Sequence, residues 1–376
     1  MGIAPSRFQR YFLPGLAFKA VVIGGGYATG RELATFFVPS GPRGGLLGMG
    51  TALLIWSGVC VLTYLFALKT RSFDYRTFFK QLLGPFWPLF EVAYFLSVTV
   101  ILAVYAAAAG SISQALFGSP PLLGALVLMI LISLIATYGN VAVERLFKYA
   151  SFFLYATYAL FVILVLAKFG SRIGPAFAAA DEAGGWFTGG VTYAGYNIFG
   201  AVVILATLRH LTSPRDAVIA GLWSGPLAMI PAMIFFLCMT AFLPAIQNET
   251  LPSDYMLGRL GIPAFRWIFQ LMIFVALLES GTGGVHAINE RIAHALGDGT
   301  LGRRARLAIT GLVLGGSVFV AARFGLVALI ASGYRWIAYT ILIVYVLPLV
   351  TLGVWRLLWG DLRERGTSFV EGARRE

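Results

Sequence analysis

Apolar residues run along the chain in long blocks separated by short polar stretches. The blocks fall at about 14–38, 46–68, 87–117, 121–139, 147–168, 185–208, 216–243, 263–290, 306–322 and 335–358. A helix rising 1.5 Å per residue needs about 20 residues to cross ~30 Å of hydrocarbon. The pattern therefore predicts an all-α membrane protein with ten transmembrane helices. The third and eighth blocks are longer than a perpendicular span needs, so those helices tilt or project beyond the bilayer. Region 323–335 reads either as an extension of the last span or as a short interfacial piece, and Gly325, Gly333 and Tyr334 favour the second. Residues 1–376 then form a single transmembrane domain that ends in a tail over 359–376.

Composition narrows the class. Hydrophobic residues make up 59% of the chain and charged residues 12%, against roughly 25% charged in an average soluble domain. Twelve per cent cannot furnish a solvated surface, which excludes an ordinary cytosolic enzyme, and the apolar content excludes a disordered chain. The net charge of +12 invites a nucleic-acid partner. Its distribution points to the bilayer instead. With ten spans, 20 of the 28 Lys and Arg fall on the side of the two termini, 6 fall on the other side, and Arg31 and Arg335 lie in or at the edge of spans. The positive-inside rule then places the N- and C-termini in the cytoplasm, where basic loops face an anionic leaflet. Arg7 and Arg10 followed by an apolar stretch look like a signal peptide. Lys19 interrupts that stretch and no small-x-small cleavage site follows, so the segment is expected to be a retained first helix. Cys60 and Cys238 sit inside apolar blocks, which assigns them neither a disulfide nor a metal.

Spacing suggests a repeat. Blocks one and six, two and seven, and three and eight are offset by about 171, 170 and 176 residues, and the third helix of each half is the longest. Five spans per half is an odd number, so the second half enters the membrane from the opposite side. The expected plan is a five-plus-five inverted repeat, residues 14–170 and 185–358, as in many secondary transporters. Two blocks also carry interruptions. The first reads Gly24-Gly25-Gly26-Tyr27-Ala28-Thr29-Gly30-Arg31-Glu32, and the sixth reads Gly189-Gly190-Val191-Thr192-Tyr193-Ala194-Gly195-Tyr196-Asn197. Glycine costs about 1 kcal/mol in a helix interior. Backbone that leaves the helix at membrane depth must be satisfied by protein, water, an ion or a solute. Helices 1 and 6 are therefore expected to be broken, and paired breaks point to a binding site. Close helix packing through small residues is the alternative reading of the same glycines. Gly24, Gly25, Gly26, Tyr27 and Thr29 of the first break, and Thr192, Tyr193, Gly195, Tyr196 and Asn197 of the second, are the candidate substrate-binding residues.

The stretch from Gly24 to Glu32, followed by Phe36-Phe37, resembles the first-helix motif GAGFASGQE…FF of the YkvI-like bacterial membrane proteins. That family looks like part of the amino acid–polyamine–organocation superfamily with the LeuT-type fold. The resemblance implies a bacterial cytoplasmic (inner) membrane and alternating access around a midplane site between helices one, three, six and eight. It also implies a substrate-binding tyrosine on the third span, where Tyr105 stands. An outer gate between helices one and ten is implied too, which Arg31, Glu32 and Arg335 would form through a Glu32–Arg335 pair.

Glu279 lies in mid-span within Leu278-Glu279-Ser280-Gly281-Thr282. An ionised carboxylate there costs several kcal/mol unless paired, hydrated or protonated. Glu279, Ser280 and Thr282 are thus candidates for H+ or Na+ coupling, and a structural carboxyl bonded to a neighbouring helix is the alternative. No His-Glu-x-x-His or Gly-x-Ser-x-Gly motif suggests an enzyme, and no cofactor is called for. The expected function is secondary active transport of a small organic solute, an amino acid or amine, driven by H+ or Na+. An inorganic-ion carrier or channel and a non-transporting solute sensor are the other readings.

Overall fold

The computed structural model describes residues 5–23, 25–138, 141–179, 184–295 and 302–359, and within them the protein is helical. A one-turn helix α1 (Arg7–Tyr11) leads into α2 (Leu13–Val22), the single turn α3 (Gly25–Ala28) and α4 (Arg31–Phe36). A long α5 (Gly41–Thr70) returns to the side of the N-terminus, where the short amphipathic α6 (Tyr75–Leu83) lies, capped by the Asp74 carboxylate on the Thr77 amide at 2.8 Å. Next come α7 (Pro88–Phe117), α8 (Pro121–Tyr138), α9 (Val141–Phe169) and α10 (Ile173–Ala179). The second half holds α11 (Trp186–Asn197), α12 (Gly200–Val203), α13 (Pro214–Thr240), α14 (Pro252–Leu260), α15 (Pro263–Ala295), α16 (Arg303–Ala328) and α17 (Tyr334–Ile341).

Six helical stretches among the described residues are long and apolar enough to cross a membrane by length and composition. They are Arg31–Thr70, Pro88–Phe117, Phe152–Ala179, Pro214–Thr240, Pro263–Ala293 and Arg303–Trp359. Large apolar side chains such as Leu54, Leu312 and Phe319 point outward from them, as lipid-facing surfaces require.

Packing gathers eight of the helices into two sets. One comprises α2, α5, α11 and α13; the other comprises α7, α8, α15 and α16. The α5–α13 contact is the most extensive. Glycines make it possible: a Cβ on Gly221 would stand 2.6 Å from the Val61 backbone, and one on Gly225 would stand 2.5 Å from the Leu53 carbonyl. Such small residues are what lets helices associate in lipid, where hydrophobic burial offers no driving force. At the start of α13, Ser213 and Asp216 form a capping box, and Arg10 of α1 forks onto both Asp216 oxygens at 2.6 and 2.8 Å. This fixes the entry of the first helix against α13.

Two expectations are corrected. The sixth apolar block is interrupted later than Gly189–Asn197: α11 runs unbroken through that stretch, and helical order lapses at residues 198–199 and again at Ile204, on either side of the single turn α12 and before a 3-10 turn at Leu205–His210. Gly189 and Gly190 instead let other backbones approach, since added Cβ atoms would collide with the carbonyl oxygens of Phe36 and Gly48. Region 323–335 is not a separate interfacial piece either. Gly325, at φ 73° and ψ 170°, turns the chain, and helix then continues from Leu326 through a π-helical turn at Leu329–Gly333 into α17.

Candidate functional site

The first apolar block is truly interrupted. Ile23 leaves helical geometry at φ −83° and ψ 74°, α3 makes one turn, and Gly30 turns left-handed at φ 74° before α4 begins. Gly30 is required twice over: its φ suits only glycine, and a Cβ would stand 2.8 Å from the Phe235 ring. The polar groups freed by the interruption find protein partners. The Thr29 hydroxyl accepts from the Arg31 amide at 3.2 Å, and the Thr29 carbonyl accepts from the Ser253 amide at 3.0 Å.

Beside this interruption lies a cavity of about 340 Å³ between α2–α4, α7, α9, α11, α15 and α17. Tyr27, Tyr105, Tyr196 and Asn197, all expected there, line it. So do Glu279 and Ser280 of α15, together with Glu32 and Tyr334. Glu32 is 4% exposed, and its Oε2 accepts from the Tyr196 hydroxyl at 2.5 Å. Tyr334 packs its ring 4.3 Å from that of Tyr196, and Tyr27 meets the Tyr158 hydroxyl at 3.5 Å.

Other expected site residues stand elsewhere. Gly24 lies outside the described residues, and Gly25 and Gly26 belong to the turn α3. Thr29 is buried and engaged as above. Thr192 is buried away from the cavity lining, and Gly195 packs against Ala338 and Leu342. Tyr193 is enclosed by Phe36, Phe37 and Trp56. The Thr282 hydroxyl donates to its own helix, at the Leu278 carbonyl 2.7 Å away.

The expected Glu32–Arg335 pair is not formed. Glu32 turns into the cavity toward Tyr196, and Arg335 is exposed. The left-handed residue Gly30 resets the rotation of the helix after it, which carries Glu32 inward. Of the three expected gate residues, Arg31 alone acts at the end away from the N-terminus. Only 7% exposed, it donates to the Gln247 carbonyl at 3.2 Å and the Glu249 carbonyl at 2.7 Å. Arg266 and Gln270 then bind Asp254 at 2.7 and 2.8 Å, holding α14 over that end.

The other end is open. A second hollow of about 510 Å³ shares Tyr94, Val203 and Ala287 with the cavity and reaches Asp74, Arg76 and Glu290 on the side of the N-terminus. At its mouth Arg291 lies between the rings of Tyr75 and Tyr94, at 3.4 and 3.7 Å, and pairs with Glu91 at 2.9 Å. The structure is therefore closed on the Arg31 side and open toward the N-terminal side.

Sequence reasoning missed Glu32 and Tyr334 as cavity residues. Tyr334 follows Gly333 at the start of the last apolar block, and nothing in its neighbours marks it. Glu32 was visible as an acidic residue just beyond the break, and only its direction was not.

No family model matches the chain, and no curated protein matches it. Solved structures do. MhsT, in complex with L-phenylalanine, is 18% identical with a TM-score of 0.61, covering 96% of this chain and 99% of that one. A mutant of the Eremococcus coleocola manganese transporter is 15% identical with a TM-score of 0.55, covering 91% and 78%. The inward-facing conformation of Mhp1 is 17% identical with a TM-score of 0.55, covering 92% and 79%. At these identities the likeness is one of fold: the chain has the LeuT-type fold of membrane transporters.

Proposed function

We propose that the protein is a secondary active transporter of a small organic solute, an amino acid or amine, working by alternating access in a bacterial inner membrane with both termini in the cytoplasm. The observation that carries this reading is the cavity beside the interrupted first helix, sealed on one side by Arg31 and α14 and open on the other. In this reading ten spans form two inverted halves, and the first-helix motif is that of the YkvI-like proteins. The set α2, α5, α11 and α13 rocks against α7, α8, α15 and α16. Light packing between the sets leaves them free to move, and the solute contacts both. Glu279 carries the coupling H+, or with Ser280 and the α3 carbonyls holds Na+; a carboxylate at that depth needs such a partner.

The test is uptake by proteoliposomes under imposed proton or sodium gradients. Saturable, gradient-driven accumulation of an amino acid or amine is expected. Unsaturable ion flux with no organic uptake would refute the reading in favour of a channel. Binding without counterflow would refute it in favour of a sensor.

A further inference from the structure

The charge of the solute follows from the cavity wall, granted the transport reading above. Among the described residues no lysine, arginine or histidine lines the cavity, whereas Glu32 and Glu279 both do. Glu32 spends one oxygen on Tyr196, and its other oxygen has no hydrogen-bond partner among the described residues. Glu279 is half-buried and has no hydrogen bond or ion pair among them. Tyr334 is 2% exposed and lines the cavity, yet its hydroxyl has no hydrogen-bond partner among them either. Two carboxylates therefore face one hollow with no described cationic side chain among its lining residues.

Two groups beside the break that could receive an anion are already taken. The Arg31 amide, first of α4, is bound by the Thr29 hydroxyl, and the Arg31 guanidinium is spent on Gln247 and Glu249. A solute carboxylate would be a third negative group in the same low-dielectric space. An ammonium instead meets two carboxylates, Glu32 and Glu279, with the rings of Tyr27 and Tyr105 also on the wall, and aromatic rings attract cations through their quadrupoles. The chain already uses this contact at the cavity wall, where the Lys19 ammonium lies 4.0 Å from the centroid of Tyr155.

We infer that the transported solute is an organic amine bound as a cation, its ammonium held between Glu32 and Glu279 and beneath the Tyr334 hydroxyl, with no carboxylate of its own. A volume of about 340 Å³ suits a single-ring arylalkylamine or a short aliphatic amine.

Three probes that share a phenylethyl unit test this on the purified full chain: 2-phenylethylamine, L-phenylalanine and 3-phenylpropionate, with 1,4-diaminobutane as the aliphatic amine. Isothermal titration and thermal shift are expected to detect an amine and not the phenylpropionate, with phenylalanine weaker than 2-phenylethylamine. Glu32→Gln keeps an acceptor for Tyr196 and is expected to weaken amine binding about tenfold or more. Glu279→Gln, farther from Tyr196, is the second variant should the first fail to fold. Phenylalanine or phenylpropionate binding more tightly than both amines would overturn the inference, as would unchanged amine affinity in either folded variant. Binding by neither amine would also overturn it, and saturable uptake of another solute would then leave the transport reading standing.

Discussion

Arg31→Met should open the outer side. The substitution keeps much of the aliphatic stem and removes the guanidinium, which donates across to the Gln247 and Glu249 carbonyls at 3.2 and 2.7 Å. A hydrogen bond to a charged group is worth about 1.5–3 kcal/mol. Water replaces both bonds when the segments separate, and the longer one is weak, so the net preference for closure should be about 1–2 kcal/mol. The share of outward-open molecules should then rise roughly five- to thirty-fold. The reporter is Ala276→Cys, on the cavity wall and outside the binding groups. Cys60 and Cys238 are buried, so background labelling is low. A membrane-impermeant maleimide added from the side opposite the termini should label Ala276→Cys faster in the Arg31→Met background by about that factor. An unchanged outer rate, with labelling from the N-terminal side intact, would show that Arg31 does not hold the closure.

Three further outcomes are expected. Glu279→Gln should abolish gradient-driven accumulation while leaving Tm and size-exclusion behaviour unchanged; wild-type uptake would remove Glu279 from the mechanism. Gly190→Leu should cost about 1–3 kcal/mol or more by overpacking against the Gly48 carbonyl. Gly50→Ala, with open space around its Cβ, should be silent, and equal detergent melting curves for the two would contradict the packing assignment. Asp216→Asn should lower Tm, because the carboxylate accepts from Arg10, Thr212 and Ser213; restoration of Tm by a paired Arg10→Gln would show that the loss was one of charge pairing.

Depth was legible in the sequence and direction was not. The apolar blocks gave most helices to within a few residues, and Pro88–Phe117 is an instance where both ends agree closely with block 87–117. The first interruption was equally plain, since three consecutive glycines have little place in a helix. The glycines of block six were misread for a physical reason. A glycine that bends a helix and one that admits a neighbour look alike in sequence, and the neighbour here comes from Phe36 and Gly48, far off in the chain. Glu32 was misplaced because the resemblance set it in an outer gate with Arg335. The left-handed Gly30 rotates everything after it, and no periodicity count survives such a turn.

Both the first and the sixth blocks lose helical order beside the cavity, and at the first the protein itself takes up part of the freed polarity. Thr29 of the first break is engaged within the protein, its carbonyl accepting from the Ser253 amide and its hydroxyl from the Arg31 amide. Glu32 and Glu279 add side-chain acceptors to the cavity in this state, closed on the Arg31 side. The segment that engages the break is also the segment that seals the outer end, because Ser253 starts α14 just after Gln247 and Glu249, which hold Arg31. Lifting that segment would release Arg31 and uncover the Thr29 carbonyl in one motion. Access and site polarity are thus coupled through residues 29–31: an outward-open molecule would offer a cation one more oxygen than an inward-open one. A coupled carrier needs such a difference, since a solute shifts a conformational equilibrium only by its differential affinity for the two states.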